Sequence, residues 1–322
     1  MNDLSKLFST FNEKIVLTDT YKENIRRGRD ALREKINTYY IDKDLIAPKH
    51  SSQGSFHMHT AIMPKEEEDF DLDNGVYLQG YATDQTNWPV PTSVHKDILS
   101  AVEDHTKEIA DKDTCVRVNY QDNYHIDLPI YIMGKDGLGK DVAYLAHTTK
   151  DWQISDPKAF SDWFTEKVKE HGKELRRTIR YLKTWTHHNS INLKGITITI
   201  LASECFYSEK NDSLVLLGTI TNIIDRLEDD FTCYKPVRPK IEDLLSSYTY
   251  NEQQTLLEDL KNLKNKINDA IYESQNEREA SEVLIELFGS RFPLGNSENK
   301  NSENYLKTNQ PESVGGKNRH YA

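Results

Sequence analysis

Alternating apolar and polar residues predict strands in the first half of the chain. In the segment 70–73, Phe-Asp-Leu-Asp, an alternation of period two turns Asp71 and Asp73 to the same face of a strand. A second alternating segment, 115–132, contains the turn sequence Gln-Asp-Asn and is typical of a hairpin. Its isoleucines and leucine share one face, which leaves Asp127 on the other. The pattern therefore predicts carboxylates on two strands of one lobe.

Apolar residues spaced three, four and seven apart predict amphipathic helices elsewhere. The clearest helix is expected over 18–40, where Thr18 can act as the N-terminal cap. A second helix is expected over 93–110. From Asp156 onward, where an Asp-Pro pair favours a helix start, the pattern becomes helical. Beyond the helices that contain Trp163 and Leu175, it predicts helices over 197–206, 213–228, 240–247, 252–273 and 278–288.

This order of elements divides the chain into three parts. Residues 1–155, with a long helix, a mixed sheet and a crossing helix, are expected to form an α+β lobe. Residues 156–294 are expected to form a helical lobe, so the predicted fold class is α+β. Residues 295–322 are rich in Asn, Ser, Glu, Lys and Gly, a composition that predicts a disordered tail.

Composition narrows the classes of partner. The chain of 322 residues carries a net charge of -11, which disfavours a long nucleic acid, because binding such a polymer needs a broad basic surface. The mean hydropathy is -0.74 and no apolar run reaches the length of a membrane span, so no membrane partner is expected. Three isolated cysteines and an N-terminus without a secretory pattern favour a cytoplasmic location.

The candidate chemistry begins at Gly54 and Ser55, a turn upstream of Asp71 and Asp73. Backbone N–H groups in such a turn can approach phosphates closely, and two carboxylates on one strand face suit a Mg²⁺ ion that holds a triphosphate. Each signal alone is more often a common turn or a solvated strand. A calcium loop is excluded by its spacing, because an EF-hand counted from Asp69 needs Gly and Glu at later positions that hold Asn and Gly here.

Further polar residues extend this candidate site. Asp127, flanked by apolar residues, would supply the third carboxylate of a two-metal site, although a surface role on the hairpin stays open. Lys183 lies on a basic helical stripe near the boundary of the two lobes and is a candidate phosphate ligand, although such stripes are usually solvated. His57 and His59 alternate without a third His or Cys nearby, so they are not expected to bind a metal.

Together these motifs resemble the bacterial cGAS/DncV-like nucleotidyltransferases, which synthesise cyclic oligonucleotides for anti-phage signalling on a polymerase-β-type fold. The resemblance extends over nearly the whole chain. It rests on the segments Gln53–Phe56, Asp71–Tyr77, His125–Pro129, Ser155–Lys158, Leu182–Trp185 and Leu287–Pro293.

The resemblance implies a role for each matching residue. It implies two Mg²⁺ ions, with Mn²⁺ as an alternative, held by Asp71, Asp73 and Asp127. It also implies nucleotide binding by Gln53, Gly54, Ser55, Arg117, Ser155, Lys183 and Thr197. Thr197 stands where relatives carry a serine, and the turn before Asp127 is shorter than in relatives.

The implied activity is the joining of NTPs, ATP or GTP among them, into a cyclic di- or trinucleotide second messenger for antiviral signalling. Two alternatives remain: a template-independent transferase that modifies RNA or protein, and an inactive nucleotide sensor. Some relatives have their C-terminus joined to a target by a ubiquitin-transfer-like partner, and the tail that ends at Ala322 is sterically suited to this. A simple solubilising tail is an equal alternative.

Overall fold

The computed structural model describes residues 2–65, 68–121, 123–238 and 242–297. Within these ranges the helices are α1 (Ser5–Ile15), α2 (Asp19–Asp42), α3 (Gly54–His57), α4 (Pro91–Val102), α5 (Pro157–His171), α6 (Glu174–His188), α7 (Gly195–Glu204), α8 (Asp212–Asp229), α9 (Tyr250–Tyr272) and α10 (Glu277–Phe288). The strands are β1 (Lys49–Ser52), β2 (Phe70–Leu78), β3 (Glu108–Asp111), β4 (Val116–Tyr120), β5 (Tyr124–Leu128), β6 (Ile130–Lys135), β7 (Asp141–His147) and β8 (Asp151–Ile154). This confirms the α+β fold class.

Strand β2 is the centre of a mixed sheet. Its first half pairs in parallel with β5 and its second half in parallel with β6, while β1 pairs antiparallel with β2. The difference in residue number between paired residues is the same before and after Pro129. Strands β5 and β6 therefore pair with β2 in one continuous register. The remaining pairs, β3 with β4, β4 with β5, β6 with β7 and β7 with β8, are antiparallel. Pro129, which has no N–H, divides what the sequence predicted as a single strand.

Two apolar clusters form the core. In one, α2 and α4 pack against the sheet through residues such as Leu32, Ile98 and Leu72. In the other, α1 packs with α5 to α10, and Phe8 of α1 lies against Tyr181 of α6 with ring centroids 5.2 Å apart. The lobe predicted over 1–155 therefore begins with a helix whose apolar face belongs to the helical cluster. The sequence interpretation did not include this helix.

The structure confirms several helix boundaries to within a few residues. Thr18 caps α2 by accepting a hydrogen bond from the backbone N–H of Tyr21, and Asp156 caps α5 by accepting one from Ala159. The helix expected over 93–110 was too long, because α4 ends at Val102. Ile109, which fits the helical spacing, instead pairs with Val118 in the β3–β4 ladder.

The helix predicted over 240–247 was wrong for the part that the structure describes. Residues 242–247 form a bridge and turns. The Asp243 carboxylate accepts hydrogen bonds from the backbone N–H groups of Cys233 and Leu245, at 2.8 and 3.0 Å. An aspartate that binds backbone N–H groups in this way competes with a helix for the same donors.

The predicted tail falls mostly outside the described residues. Of the range 295–322, the structure describes 295–297, where Gly295 donates its backbone N–H to the Ser281 hydroxyl at 2.8 Å. The expected disorder of the rest and the expected site for a ubiquitin-transfer-like partner therefore stay predictions. Among the described helices, none is both long and apolar enough to span a bilayer.

Candidate active site

The three predicted carboxylates meet on one face of the sheet. Asp71 and Asp73 lie two residues apart on β2, and the parallel register places Asp127 of β5 directly beside Asp73. His125 takes the corresponding place beside Asp71. Because alternate residues of a strand share a face, these four side chains form a two-by-two array, called here the acidic wall.

Arg117 of β4 neutralises part of the acidic wall. It stands opposite Asp127 in the antiparallel β4–β5 ladder and donates two hydrogen bonds to that carboxylate, Nε to Oδ1 at 2.7 Å and Nη2 to Oδ2 at 2.8 Å. A second contact, 3.6 Å, joins its Nη2 to Oδ1 of Asp71. A guanidinium that binds a carboxylate through two parallel bonds fixes both its charge and its orientation. The predicted nucleotide ligand Arg117 is thus paired with Asp127 in this structure.

Asp73 is the carboxyl group least compensated by positive charge. Burial, together with the neighbouring carboxylates Asp127 and Asp71, raises its pKa from 3.8 to about 6, and Arg117 opposes this only in part. Desolvation and like charges both disfavour the ionised form of a carboxyl group. A cation bound against this wall would relieve that destabilisation.

The glycine-serine turn lies against Asp73. Gly54 begins the short helix α3 with a φ of 65°, and a Cβ on this residue would overlap Oδ2 of Asp73. Glycine is required here both by its backbone conformation and by this close approach. The preceding residue, Gln53, is buried and fixes the turn: Nε2 donates to the Tyr77 hydroxyl at 3.0 Å, and the Tyr131 hydroxyl donates to Oε1 at 3.3 Å.

Helix α6 contributes one basic residue to the lining of the site, Lys183, and the part of the site that it lines is called here the basic wall. Lys183 of α6 points its Nζ at Thr60, donating to the backbone oxygen at 3.2 Å and to Oγ1 at 3.3 Å. Burial, and secondarily the positive charge of Arg180, lowers the pKa of Lys183 from 10.5 to about 8. The ammonium thus has neutral partners and contacts no carboxylate within the described ranges, which leaves it available to an anion.

The two walls enclose a cleft of about 580 Å³. Among the predicted site residues, the cleft is lined by Gln53, Gly54, Ser55, Asp71, Asp73, Asp127, Ser155 and Lys183. Arg117 and Thr197 are not among its lining residues: Arg117 is hydrogen-bonded to Asp127, and the side chain of Thr197 on α7 is buried away from the cleft. Thr199, two residues further along that helix, is a lining residue, but it is also fully buried and its hydroxyl donates to the backbone oxygen of Gly195 at 2.8 Å.

The sequence interpretation also missed lining residues from the segment that follows α8. Lys235 and Arg238 line the cleft from the helical lobe, and Arg238 forms an ion pair with Asp136, in the turn that links β6 and β7. No periodic pattern marks this segment, because it has no regular secondary structure. The distance in sequence from the other site residues hides it further.

The donor atoms on the acidic wall suit a divalent cation. One ligand atom each from Asp71, His125 and Asp127 lies within 4.8 Å of the others. Asp73 adds a fourth acidic group on the same face. Carboxylate oxygens are the ligands that Mg²⁺ and Mn²⁺ prefer in phosphate-handling sites. The residues present therefore fit a divalent ion.

Comparison with known proteins agrees with this arrangement. Residues 48–131 match the sequence model of a family described as "Cyclic GMP-AMP synthase DncV-like, nucleotidyltransferase domain". The chain carries a DncV-like nucleotidyltransferase domain. The matched range includes the turn at Gly54 and all three carboxylates, so the acidic wall lies entirely within the DncV-like domain.

Relatives extend the similarity beyond the DncV-like domain. The chain is 27% identical over 305 residues to a cyclic GMP-AMP synthase of Escherichia coli strain TW11681, covering 76% of this chain and 68% of that protein. A cyclic GMP-AMP synthase of Vibrio cholerae is 25% identical over 214 residues, 49% of this chain and 48% of that one. In fold, the chain matches Vibrio cholerae DncV in complex with a linear intermediate, with a TM-score of 0.75, 17% identity and coverage of 90% and 96%.

Proposed function

We propose that this protein is a nucleotidyltransferase that joins two NTPs into a cyclic dinucleotide. The observation that carries the proposal is the placement of Asp71, Asp73 and Asp127 on one face of the sheet, in a cleft that Lys183 also lines. The relatives named cyclic GMP-AMP synthase support a cyclic dinucleotide as the product and ATP and GTP as the substrates.

The donor triphosphate would bind between the two walls. The Gly54 backbone and the Ser55 hydroxyl can approach phosphate oxygens from the sheet side, and Lys183 can reach them from α6. Ser155 adds a hydroxyl group along the same cleft. Because the reacting groups would be held by groups from both lobes, much of the rate enhancement would come from orientation.

In each step a ribose hydroxyl oxygen of the acceptor would attack the α-phosphorus of the donor. The new phosphorus–oxygen bond forms as the bond to the pyrophosphate oxygen breaks, and pyrophosphate leaves. The hydroxyl proton would pass to the Asp127 carboxylate and then to water. A divalent ion held by Asp71, Asp73 and Asp127 would supply charge neutralisation for the hydroxyl oxygen and the leaving pyrophosphate.

A second step of the same kind would close the ring, after the linear dinucleotide turns around in the cleft. A role of the cyclic product as a second messenger in antiviral defence belongs to this proposal and rests on the family resemblance. The net charge of -11 supports free NTPs, rather than a long RNA, as acceptors.

The proposal is tested by the double variant Asp71→Asn with Asp73→Asn, incubated with labelled NTPs and Mg²⁺. We expect wild-type protein to release pyrophosphate and form a phosphatase-resistant product with the mass of a cyclic dinucleotide. We expect the double variant to remain folded and to lose at least about a thousandfold in rate, because the charge-stabilising groups are gone. The matched control is Asp141→Asn with Asp162→Asn, which makes the same charge change at exposed positions outside the cleft.

Each alternative gives a different result in this assay. Product that appears only when RNA or a protein acceptor is added would indicate a transferase acting on that acceptor. NTP binding by calorimetry without pyrophosphate release would indicate a sensor. Undiminished cyclic product from the double variant would overturn the assignment of the acidic wall.

A further inference from the structure

His125 is a buried polar residue that the proposed mechanism does not use. It is 5% exposed, and neither ring nitrogen has a hydrogen-bond partner among the described residues. Its Nε2 lies against Oδ1 of Asp71, on the face of the sheet that carries the acidic wall. Within the residues that the structure describes, the only close polar contact of this buried ring is thus with a carboxylate oxygen of the acidic wall, and it does not have the geometry of a hydrogen bond, so the orientation of the ring needs an explanation.

The surroundings of Nε2 are those of a metal ligand. It belongs to the group of three donor atoms, with one oxygen each from Asp71 and Asp127, that lie within 4.8 Å of one another. The pairing of Asp127 with Arg117 does not block this role, because each carboxylate oxygen keeps a second lone pair after accepting one hydrogen bond. One nitrogen donor and two oxygen donors therefore lie close enough together to share one ion.

The other ring nitrogen has a suitable partner nearby. Nδ1 lies 4.0 Å from Oδ2 of Asp69, whose side chain is 63% exposed and is thus free to move closer. A metal-bound histidine usually donates its second N–H to a carboxylate, which fixes the ring and its tautomer. A small movement of the Asp69 side chain towards Nδ1 of His125 would complete this hydrogen bond.

We propose that His125 Nε2 is a direct ligand of the divalent ion on the acidic wall, together with Asp71 and Asp127. The inference deepens the proposed function, because it concerns the ion of the same site. Imidazole nitrogen binds transition-metal ions such as Mn²⁺ more favourably than it binds Mg²⁺, which prefers oxygen donors throughout. The site accordingly prefers Mn²⁺ to Mg²⁺ by more than an all-carboxylate site would.

The proposal differs from a simple ion pair between His125 and Asp71. An imidazolium paired with Asp71 would orient that carboxylate without touching the ion, and its loss would change the affinity for Mn²⁺ and Mg²⁺ alike. A ligating imidazole would change the two affinities unequally. It would also leave a nitrogen signature on the bound ion.

The test is electron spin echo spectroscopy of Mn²⁺ bound to the full-length protein, which detects nitrogen bonded directly to the ion. We expect nitrogen modulation in the wild type and its loss in His125→Gln. His57→Gln is the matched control, because His57 lies on α3 next to the cleft but outside the acidic wall. This control should keep the modulation.

Wild-type protein labelled only at histidine with the heavy nitrogen isotope provides a second measurement that does not depend on the folding of a variant. Labelling should change the modulation to that of the heavy isotope. Modulation that is absent in the wild type, insensitive to histidine labelling or retained in His125→Gln would overturn the proposal.

Competition between Mg²⁺ and Mn²⁺, monitored through the Mn²⁺ signal, measures the affinity of the site for each ion. We expect His125→Gln to lower Mn²⁺ affinity by about tenfold or more while changing Mg²⁺ affinity far less. Equal losses for both ions would support the ion pair and contradict ligation. These measurements need no turnover, so their failure is separate from a failure of cyclic dinucleotide synthesis, which the assay with Asp71→Asn and Asp73→Asn detects.

Discussion

The acidic wall and the basic wall hold their charges in opposite ways. On the sheet, Asp127 is paired with Arg117 from the neighbouring strand, and the carboxylates crowd one another. On the helix, Lys183 is held by the oxygens of Thr60, which carry no formal charge. One wall thus has an excess of negative charge beside a partial counterion, and the other has a cation for which the described part of the chain provides no counterion.

Both walls shift a key residue towards its neutral form. The pKa of Asp73 is raised to about 6 and that of Lys183 is lowered to about 8, in each case mainly by burial. A ligand that brings a divalent cation to one wall and a phosphate to the other would reverse both shifts. The comparison indicates that the site suits a substrate that brings a divalent cation and a phosphate together.

The largest effect on this comparison is expected from Gly54→Ala, which disturbs the acidic wall without changing any charge. The new Cβ would overlap Oδ2 of Asp73 and displace it. We expect the rate of nucleotide joining to fall by about a hundredfold, the loss typical of a misplaced catalytic group. Steady-state kinetics with NTPs and Mg²⁺ measure this.

Gly139→Ala is the matched control for this variant. Gly139 also has a positive φ, 73°, but nothing lies within 4 Å of an added Cβ. It therefore carries the backbone strain without the contact. Equal losses of activity in the two variants would show that strain, and not displacement of Asp73, is responsible.

A smaller effect is expected from pH acting on the basic wall. Because the lowered pKa of Lys183 is about 8 in the free protein, the fraction of charged ammonium falls as pH rises through that value. We expect kcat/KM for NTPs to fall by roughly tenfold per pH unit above about pH 8. In Lys183→Arg the guanidinium stays charged, so the same fall should be absent. A fall of equal size in both proteins would contradict the assignment of Lys183 as a phosphate ligand.

The smallest effect is expected on stability, through Asp73. Its pKa of about 6 exceeds the ordinary 3.8, so the folded state keeps a proton that the unfolded state has lost in this range. The contribution of Asp73 to stability therefore falls as pH rises from about 4 to about 6. In urea unfolding with a chelator present, we expect Asp73→Asn to be more stable than wild type by about 1–2 kcal/mol at pH 7. The difference should vanish near pH 4, and a constant difference would contradict the titration of Asp73.

Much of the acidic wall could be predicted from sequence because its signal is local. The alternation in Phe-Asp-Leu-Asp fixes the faces of Asp71 and Asp73, and the same rule assigns Asp127 to its face. Period two also places His125 on the face of Asp127, so this residue could have been found by extending the same count. The position of His125 beside Asp71 could not be predicted in this way, because the register between two strands is a tertiary property.

The parts that sequence did not predict depend on contacts between distant segments. Helix α1 has an apolar face, but its assignment to the helical cluster follows only from packing against residues more than 170 positions away, such as Tyr181. Thr197 and Thr199 both lie on α7, and only the rotation of that helix decides that Thr199, and not Thr197, is a lining residue of the cleft. The pairing of Arg117 with Asp127 likewise needs the antiparallel ladder to be known.

The unbroken alignment of β2 with β5 and β6 has an evolutionary consequence. One register holds on both sides of Pro129. The loop could therefore absorb the deletion of a single residue ahead of Asp71. A deletion between Asp71 and Val76 would instead turn the side chains of half of β2 to the opposite face of the sheet. We expect natural length variation in this region to gather in the connection that precedes Phe70, and the interval from Asp71 to Val76 to be free of insertions and deletions.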